Sequence, residues 1–495
     1  MLLGIDVGTS GLKAMLLNPE TGMSILAYRE YDVTMPKTGF AEQSPDLWWK
    51  ALIACLNELR AKNTAIFEKI DAIGFSGQMH GLVMVGKNKE AVTNAILWLD
   101  QRSERQTRAF QEKIPSEEIA TVIQNRPFPG FAVPSFMWIQ ENEKDIYRDC
   151  YKIMQPKDYL RMKLTGAIGT EVSDASATAG FDIKNRKWAF DLLDKLGLDP
   201  EKFPDCRESV DLAGVITAEA AKATGLRKGI PVVFGAGDQQ AQSIGNGAVC
   251  EGLFISNIGT GGQIATYSEK DIYDKKLRTH TFCHAVNKAY TIYGAALCSG
   301  MSIKWLKNNV FDAESYDEIS ALAQQAPPCS EELIYLPYLA GERTPHMDPK
   351  ARGIFFGLTM RHDKRHFARA VMEGVTFSLR DSLELFEKMN LPVERIIASG
   401  GGANSKIWLR IQADIFGKEI VVSDVREQAC LGACILAGIG TGMFGDVQEA
   451  VRKLVTFKKE TYEPDMKAHE RYGLTYRQFQ KIYDANKELF AANGH

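Results

Sequence analysis

A glycine-rich turn occurs twice in this chain, each time between two apolar runs. The first reads Gly4-Ile5-Asp6-Val7-Gly8-Thr9-Ser10-Gly11-Leu12. The second reads Phe254-Ile255-Ser256-Asn257-Ile258-Gly259-Thr260-Gly261-Gly262-Gln263. In each, an apolar strand enters, reverses at a Gly-Thr-small-Gly tip and leaves as a second strand. Glycine at the tip removes Cβ atoms, so backbone N–H groups can come close to a polyphosphate. A single copy would be an ordinary turn. Two copies, one in each half, point to similar halves gripping one nucleotide. Asp6 gives the first copy a carboxylate suited to a phosphate-bound Mg²⁺. Asn257 stands there in the second, so halves alike in fold differ in task.

A chain of 495 residues exceeds what one hydrophobic core supports. The natural division is two domains, 1–246 and 247–495, meeting at Gly245-Asn246-Gly247-Ala248. A net charge of −3 gives no general electrostatic reason to bind nucleic acid or an anionic membrane. No apolar run is long enough to span a bilayer, and the N-terminus opens as a strand containing Asp6, so neither a membrane span nor a signal peptide is expected. The nine cysteines are scattered and odd in number, which favours reduced thiols and a cytoplasmic location. Cys430 and Cys434 share a helix face as small packing residues. His280, Cys283 and His284 resemble a metal cluster, but they lack a fourth ligand and read more economically as structural.

The apolar patterning predicts an α/β fold. Residues 45–59 read as a helix, with Ser44 as N-cap and Pro45 in the first turn. Short buried strands at 72–75, 95–98 and 230–234 each run into polar residues. These are Gln78-Met79-His80, Asp100-Gln101-Arg102 and Asp238-Gln239-Gln240. The carboxyl ends of strands are where ligand crevices form in such sheets. Asp238 can accept a proton from a substrate hydroxyl or cap a helix, and both can hold. A strand at 393–398 enters Ser399-Gly400-Gly401-Gly402-Ala403-Asn404, whose glycines let a flat base or ribose lie on backbone. A long helix is expected over 364–389, and another near the C-terminus packs over the second domain. Gly81-Leu82-Val83-Met84-Val85-Gly86-Lys87-Asn88 has the glycine spacing of a Walker A loop. Asn88 replaces the Mg²⁺-binding hydroxyl and the interior is a strand, so the match is accidental.

Together these motifs resemble the FGGY carbohydrate kinases, in the actin-like, ribonuclease H-like ATPase superfamily, over essentially the whole chain. Gly353-Ile354-Phe355-Phe356-Gly357-Leu358, with His366-Phe367-Ala368-Arg369-Ala370-Val371-Met372-Glu373, is similar to the family's C-terminal signature. Phe131-Ala132-Val133-Pro134-Ser135-Phe136 resembles its N-terminal signature, with Ser135 where the family usually has lysine. The resemblance implies two actin-like domains with the active site in the cleft between them. It implies Asp238 as catalytic base and Asp6 as the Mg²⁺ residue. Gly8, Thr9, Ser10, Gly259, Thr260 and Gly261 would hold the phosphates of ATP. Gly400, Gly401, Gly402 and Asn404 would line its base and ribose. Met79, His80, Trp98, Asp100, Asp238 and Gln239 would face the sugar. Within the family, Ser76-Gly77-Gln78-Met79-His80-Gly81 most resembles the branch acting on D-xylulose at carbon 5, although Gln239 replaces that branch's usual asparagine. The alternatives are an FGGY kinase for ribulose, L-xylulose, erythritol, glycerol or a signalling sugar and, farther off, an actin-like ATPase switch protein. A homodimer is compatible with the resemblance.

Overall fold

The computed structural model describes residues 1–492. Two mixed sheets organise it. The first has strand order Leu212–Val215, Pro231–Val233, Ala72–Gly77, Leu2–Val7, Gly11–Leu17, Ser24–Glu30, and Ala236–Gly237 also pairs with Ala72–Gly77. The second has the order His280–Cys283, Tyr290–Ala296, Gly262–Ser268, Gly252–Ile258, Val393–Ser399, Glu419–Val422. One pairing rule governs both central strands. Leu2–Val7 runs antiparallel to Gly11–Leu17 and parallel to Ala72–Gly77. Gly252–Ile258 runs antiparallel to Gly262–Ser268 and parallel to Val393–Ser399. The internal duplication in the sequence is therefore a duplication of sheet topology. Each glycine tip lies at the carboxyl end of its central strand.

The central strands are covered on both faces, which is why they read as continuous apolar runs rather than alternating ones. Leu2, Leu3, Ile5 and Val7 are fully buried. The helix Gln428–Gly440 follows the second sheet in sequence but lies across the first. Glycine makes this approach possible. A Cβ on Gly4 would fall 2.2 Å from the Cys430 carbonyl oxygen, and one on Gly74 would fall 2.0 Å from that of Ala433. Gly432 and Gly245 let the same helix cross Asp238–Gly245 equally closely; a Cβ on either would lie 1.9 Å from a facing carbonyl oxygen. An ion pair at 2.6 Å between Lys13 and Glu427 adds a polar link across this junction.

Several expectations met the structure in altered form. The first helix runs Pro45–Lys62 with Pro45 at its start, but the Ser44 side chain makes no cap bond. The run at 95–98 is paired in a sheet only at Ala95–Ile96, and Trp98 beyond it is 39% exposed. The long helix is Lys364–Lys388. The C-terminal helix, Met466–Ala492, buries Tyr472, Tyr476 and Phe479 in the core under the second sheet. Val83–Val85, inside the accidental Walker match, is a buried strand. All nine cysteines are free; Cys430 and Cys434 are buried against the first sheet, and Cys250 is exposed. No helix among the described residues is long and apolar enough to cross a membrane.

Candidate active site

Two cavities of about 610 Å³ each meet at the second glycine loop. One lies against the strand-to-helix turn at Gly401, Gly402 and Asn404, with Trp408, Tyr316 and Lys304 on its walls. The other lies between the two sheets. It is lined by Thr9, Met79, His80, Trp98, Asp238 and Gln239 from the first half, and by Gly261, Gln263, Tyr293 and Arg343 from the second. Gly259, Thr260 and Met301 line both, so a wall about one loop thick separates them.

The strand-to-helix turn is built by its glycines. Gly400 has φ +74°, and a Cβ there would meet Asn257 Oδ1 at 2.4 Å. Ser405 then caps the helix Lys406–Phe416 by accepting from Trp408 N–H. Gly259 and Thr260 are exposed at the loop tip, where their carbonyls accept from Gly300 and Met301 N–H. The first loop is tied down from the cleft side. The Thr9 hydroxyl donates to Gln78 Oε1 at 3.1 Å and accepts from Trp98 Nε1 at 3.0 Å.

Asp238 opens the helix Asp238–Gly245, and Gly237 occupies the cap position instead. The alternative of Asp238 as an N-cap therefore falls; Asp238 lines the cavity instead. Desolvation and the nearby Asp6 push it up to about 7, so at neutral pH it sits at the point of taking or giving a proton. Its turn is held from below. Gly237 N–H donates to Ser173 Oγ at 2.9 Å, and Ser173 Oγ donates to Glu171 Oε1 at 2.9 Å. Glu171 belongs to a fully buried cluster in which Lys157 Nζ meets Asp158, Glu171 and Asp174 at 3.0, 3.1 and 2.9 Å. No motif in the sequence analysis reached this cluster. A Cβ on Gly237 would meet Met79 Cγ at 2.7 Å and Asp174 Oδ1 at 3.0 Å, so the residue before Asp238 packs between one wall of the cavity and the buried cluster.

His80 has a positive φ of 70° and stacks on Phe131, with centroids 4.2 Å apart. Its Nδ1 donates to the Ala177 carbonyl at 2.7 Å, and burial lowers its pKa to about 4. The ring is neutral, and Nε2 is left as an acceptor for a hydroxyl. The Gln239 and Gln263 amides bond to each other across the cavity, joining the two halves. Asp6 lines neither cavity. Its Oδ1 accepts from Ser76 Oγ at 2.7 Å, and desolvation raises its pKa.

Asp100 is not brought to the cleft. It is fully buried, accepts from Ala41 N–H at 2.7 Å and pairs with Arg102 at 2.8 Å. Its carboxylate stitches loops behind Trp98, so its expected place against sugar is corrected. His280, Cys283 and His284 do not converge on a common point. His280 Nδ1 faces Asn125 Oδ1 at 3.3 Å, Cys283 Sγ donates to Ile183 O at 3.5 Å, and His284 Nδ1 accepts from Val286 N–H at 3.3 Å. Ser135 is buried in the helix Ala132–Asn142, away from both cavities. Arg343 and Gln263 are cleft residues that sequence reading missed; each lies outside the quoted loops or was read only as backbone.

Two topologically alike sheets, each carrying a glycine hairpin, with a titratable carboxyl beside a two-cavity cleft, define a two-domain α/β sugar kinase. The sequence matches the N-terminal domain of the FGGY family of carbohydrate kinases over residues 1–245 and the C-terminal domain over 255–441. The chain belongs to that family. It is 36% identical to the xylulose kinase of Lactococcus lactis, over 99% of this chain and 97% of that one. Among solved structures it is similar to a "xyloylose kinase" from Brucella ovis, with TM-score 0.93 and 31% identity over 98% of this chain and 99% of that one. It is equally similar in fold to a gluconate kinase from Lactobacillus acidophilus, with TM-score 0.94 and 28% identity over 100% and 99% of the two chains.

Proposed function

We propose that this kinase transfers the γ-phosphoryl group of ATP to the carbon-5 hydroxyl of D-xylulose, giving D-xylulose 5-phosphate and ADP. The carrying observation is Asp238, whose carboxyl titrates near 7 in a cavity separated from the second only by Gly259 and Thr260. ATP fits the cavity at Gly401, Gly402 and Asn404, with Gly400 making the turn that leads into it. Its phosphates run over Gly259, Thr260 and Gly261 toward Gly8, Thr9 and Ser10, where backbone amides meet their charge. The ketose fits the other cavity against Met79, His80, Trp98 and Gln239. Asp238 takes the proton of the attacking hydroxyl as its oxygen bonds to the γ-phosphorus and the bond to ADP breaks. Asp238 then holds that proton at its carboxyl and releases it to solvent when the cleft opens.

Mg²⁺ supplies neutralisation of phosphate charge in such transfers. Asp6 suits it as a carboxylate with one oxygen bonded by Ser76 and the other unengaged by any side chain, close enough to Asp238 to disfavour that group's ionisation. A cation held beside Asp6 would relieve that repulsion. A cytoplasmic homodimer belongs to the same reading. It is supported by nine unpaired thiols and the family resemblance, and checked by sedimentation at micromolar concentration.

The test is ADP release with ATP, Mg²⁺ and equal concentrations of D-xylulose, L-xylulose, D- and L-ribulose, D-fructose, glycerol, erythritol and xylitol. Selective stimulation by D-xylulose is expected. Stronger stimulation by another member replaces the acceptor and leaves the base and phosphate loops in place. ATP turnover indifferent to all of them favours a conformational ATPase.

A further inference from the structure

Two tryptophans end a single chain of hydrogen bonds that runs beneath the first glycine loop. Trp48 is fully buried, and Trp98 is exposed at the cavity proposed for the sugar. Trp48 Nε1 donates to Gln43 Oε1 at 3.0 Å, and Gln78 Nε2 donates to the same oxygen at 3.3 Å. The Thr9 hydroxyl bonds lie between Gln78 and Trp98, at 3.1 and 3.0 Å. The direction of every bond is forced. An indole N–H can only donate, so Trp48 fixes which end of the Gln43 amide is oxygen. Gln43 Nε2 then donates to the Thr9 and Asp32 carbonyls, at 2.8 and 3.2 Å. Gln78 must meet Gln43 Oε1 with its own amide nitrogen, which also reaches the Gly8 carbonyl at 3.4 Å. Turning over either amide would set oxygen against oxygen. Gln78 Oε1 is left facing Thr9, so the single proton of the Thr9 hydroxyl is taken and a lone pair remains for Trp98.

This chain decides what the loop shows to the cleft. The tip carbonyls are turned inward. Gly8 O accepts from the Tyr31 hydroxyl at 2.7 Å, Thr9 O from Gln43, and Ser10 O from Tyr31 N–H at 3.2 Å. Thr9 N–H and Ser10 N–H donate to no acceptor among the described residues. Ionised phosphate oxygens only accept, so a tip with its carbonyls withdrawn and its amides free is the form that binds them. While Gln78 holds its proton, the Thr9 hydroxyl has none to offer a phosphate, and it serves the shape of the loop instead. Gln43, Gln78 and Trp48 are all buried, which leaves Trp98 as the exposed end of the chain. The backbone of Trp98 is closed over by Gly130, where a Cβ would lie 2.2 Å from the Trp98 carbonyl oxygen.

Given the assignment of the two cavities proposed above, we propose that Trp98 is a positioning residue of the first phosphate loop. Its indole N–H is committed to Thr9, not to the acceptor, and an acceptor resting on the ring tightens the loop's grip on the terminal phosphate of ATP. The acceptor restrains the one exposed member of an otherwise buried chain, so less ordering is left for the phosphate to impose. By linkage, the terminal phosphate strengthens acceptor binding by the same factor.

The experiment compares wild type, Trp98→Phe, Thr9→Val and the double variant. Phenylalanine keeps a ring and removes the N–H; valine keeps the shape of threonine and removes the hydroxyl. Calorimetry gives the affinity for a non-hydrolysable ATP analogue and for ADP, without D-xylulose and with it saturating. The ratio of the two affinities isolates the terminal phosphate, and ADP affinity with the thermal midpoint reports folding. Trp98→Phe is expected to lower that ratio about fivefold, the size of one neutral hydrogen bond, and to leave the KM for D-xylulose within about twofold. In the Thr9→Val background the same substitution should leave the ratio nearly unchanged, because the acceptor of the bond is already gone. D-xylulose should raise the ratio in wild type and not in Trp98→Phe. An unchanged ratio in folded Trp98→Phe, equal effects of that substitution in both backgrounds, or a D-xylulose that turns over without raising the wild-type ratio overturns the proposal. A wild type that leaves D-xylulose unphosphorylated overturns the ketose assignment instead, and the sugar-free cycle still decides the role of Trp98.

Discussion

In the proposed transfer Asp238 is the carboxyl that takes the proton, and its environment fixes two measurable signs. The folded group ionises near 7, while the ordinary value is 3.8. As a base it must be ionised, so kcat/KM should fall about tenfold per pH unit below 7 and level off above it. Asp238→Asn removes the base and should lower kcat by about 10² to 10⁴ with ADP binding retained. The stability sign runs the other way. The folded state holds this proton more tightly than the unfolded chain does, so the group's contribution to stability declines as pH rises from about 4 to 7. Asp238→Asn should therefore raise the melting temperature at pH 8 and leave it nearly unchanged at pH 4; a lower melting temperature at pH 8 would contradict the burial argument. At this scale the sequence was legible where a residue type is forced. Gly400 is forced because its φ is positive and Asn257 stands where a Cβ would go. Asp100 was misplaced because proximity to a strand end does not say which way a side chain turns. Arg102, two residues on, captured it.

At the scale of elements, the crossing of Gln428–Gly440 over Asp238–Gly245 is the tightest contact in the fold. Gly432→Val should cost about 3 kcal/mol or more, read as a lower urea midpoint, because the facing atom is a backbone oxygen that cannot swing aside. Gly473→Ala, in the helix Met466–Ala492, is the control: nothing lies near its Cβ position, and helix propensity predicts a gain of about 0.5–1 kcal/mol. The hairpins, the strand into Ser399 and the long helix were readable because their patterns are local. The placement of Gln428–Gly440 on the first sheet was not. Its glycines and cysteines announce close packing but carry no address, and the partner strand Leu2–Val7 lies at the other end of the sequence. The buried Lys157 cluster was equally silent, since charges in a helix such as Pro156–Thr165 read as solvent-facing until the fold encloses them.

The whole molecule has its two cavities on either side of one glycine loop, and the one proposed for the sugar is walled by both halves. Binding on both sides should draw the halves together, expelling water from around Asp238. The radius of gyration in solution should therefore fall more with a non-hydrolysable ATP analogue and D-xylulose together than with either alone; additive or absent changes would place the closing motion elsewhere. The Gln239–Gln263 bond already spans the opening, so exchange of that pair marks how far it closes. The uneven burial of the thiols has a practical reach. Eight of the nine cysteines are wholly or partly enclosed, and the exposed one, Cys250, sits on the turn between the helix that begins at Asp238 and the strand that leads to the second loop. Unmodified protein thus carries its own attachment point for a maleimide dye, favoured at mildly alkaline pH because burial and the neighbouring Glu394 and Glu269 raise that thiol's pKa. A fluorophore there rides the chain crossing itself, turning each catalytic cycle into an optical signal.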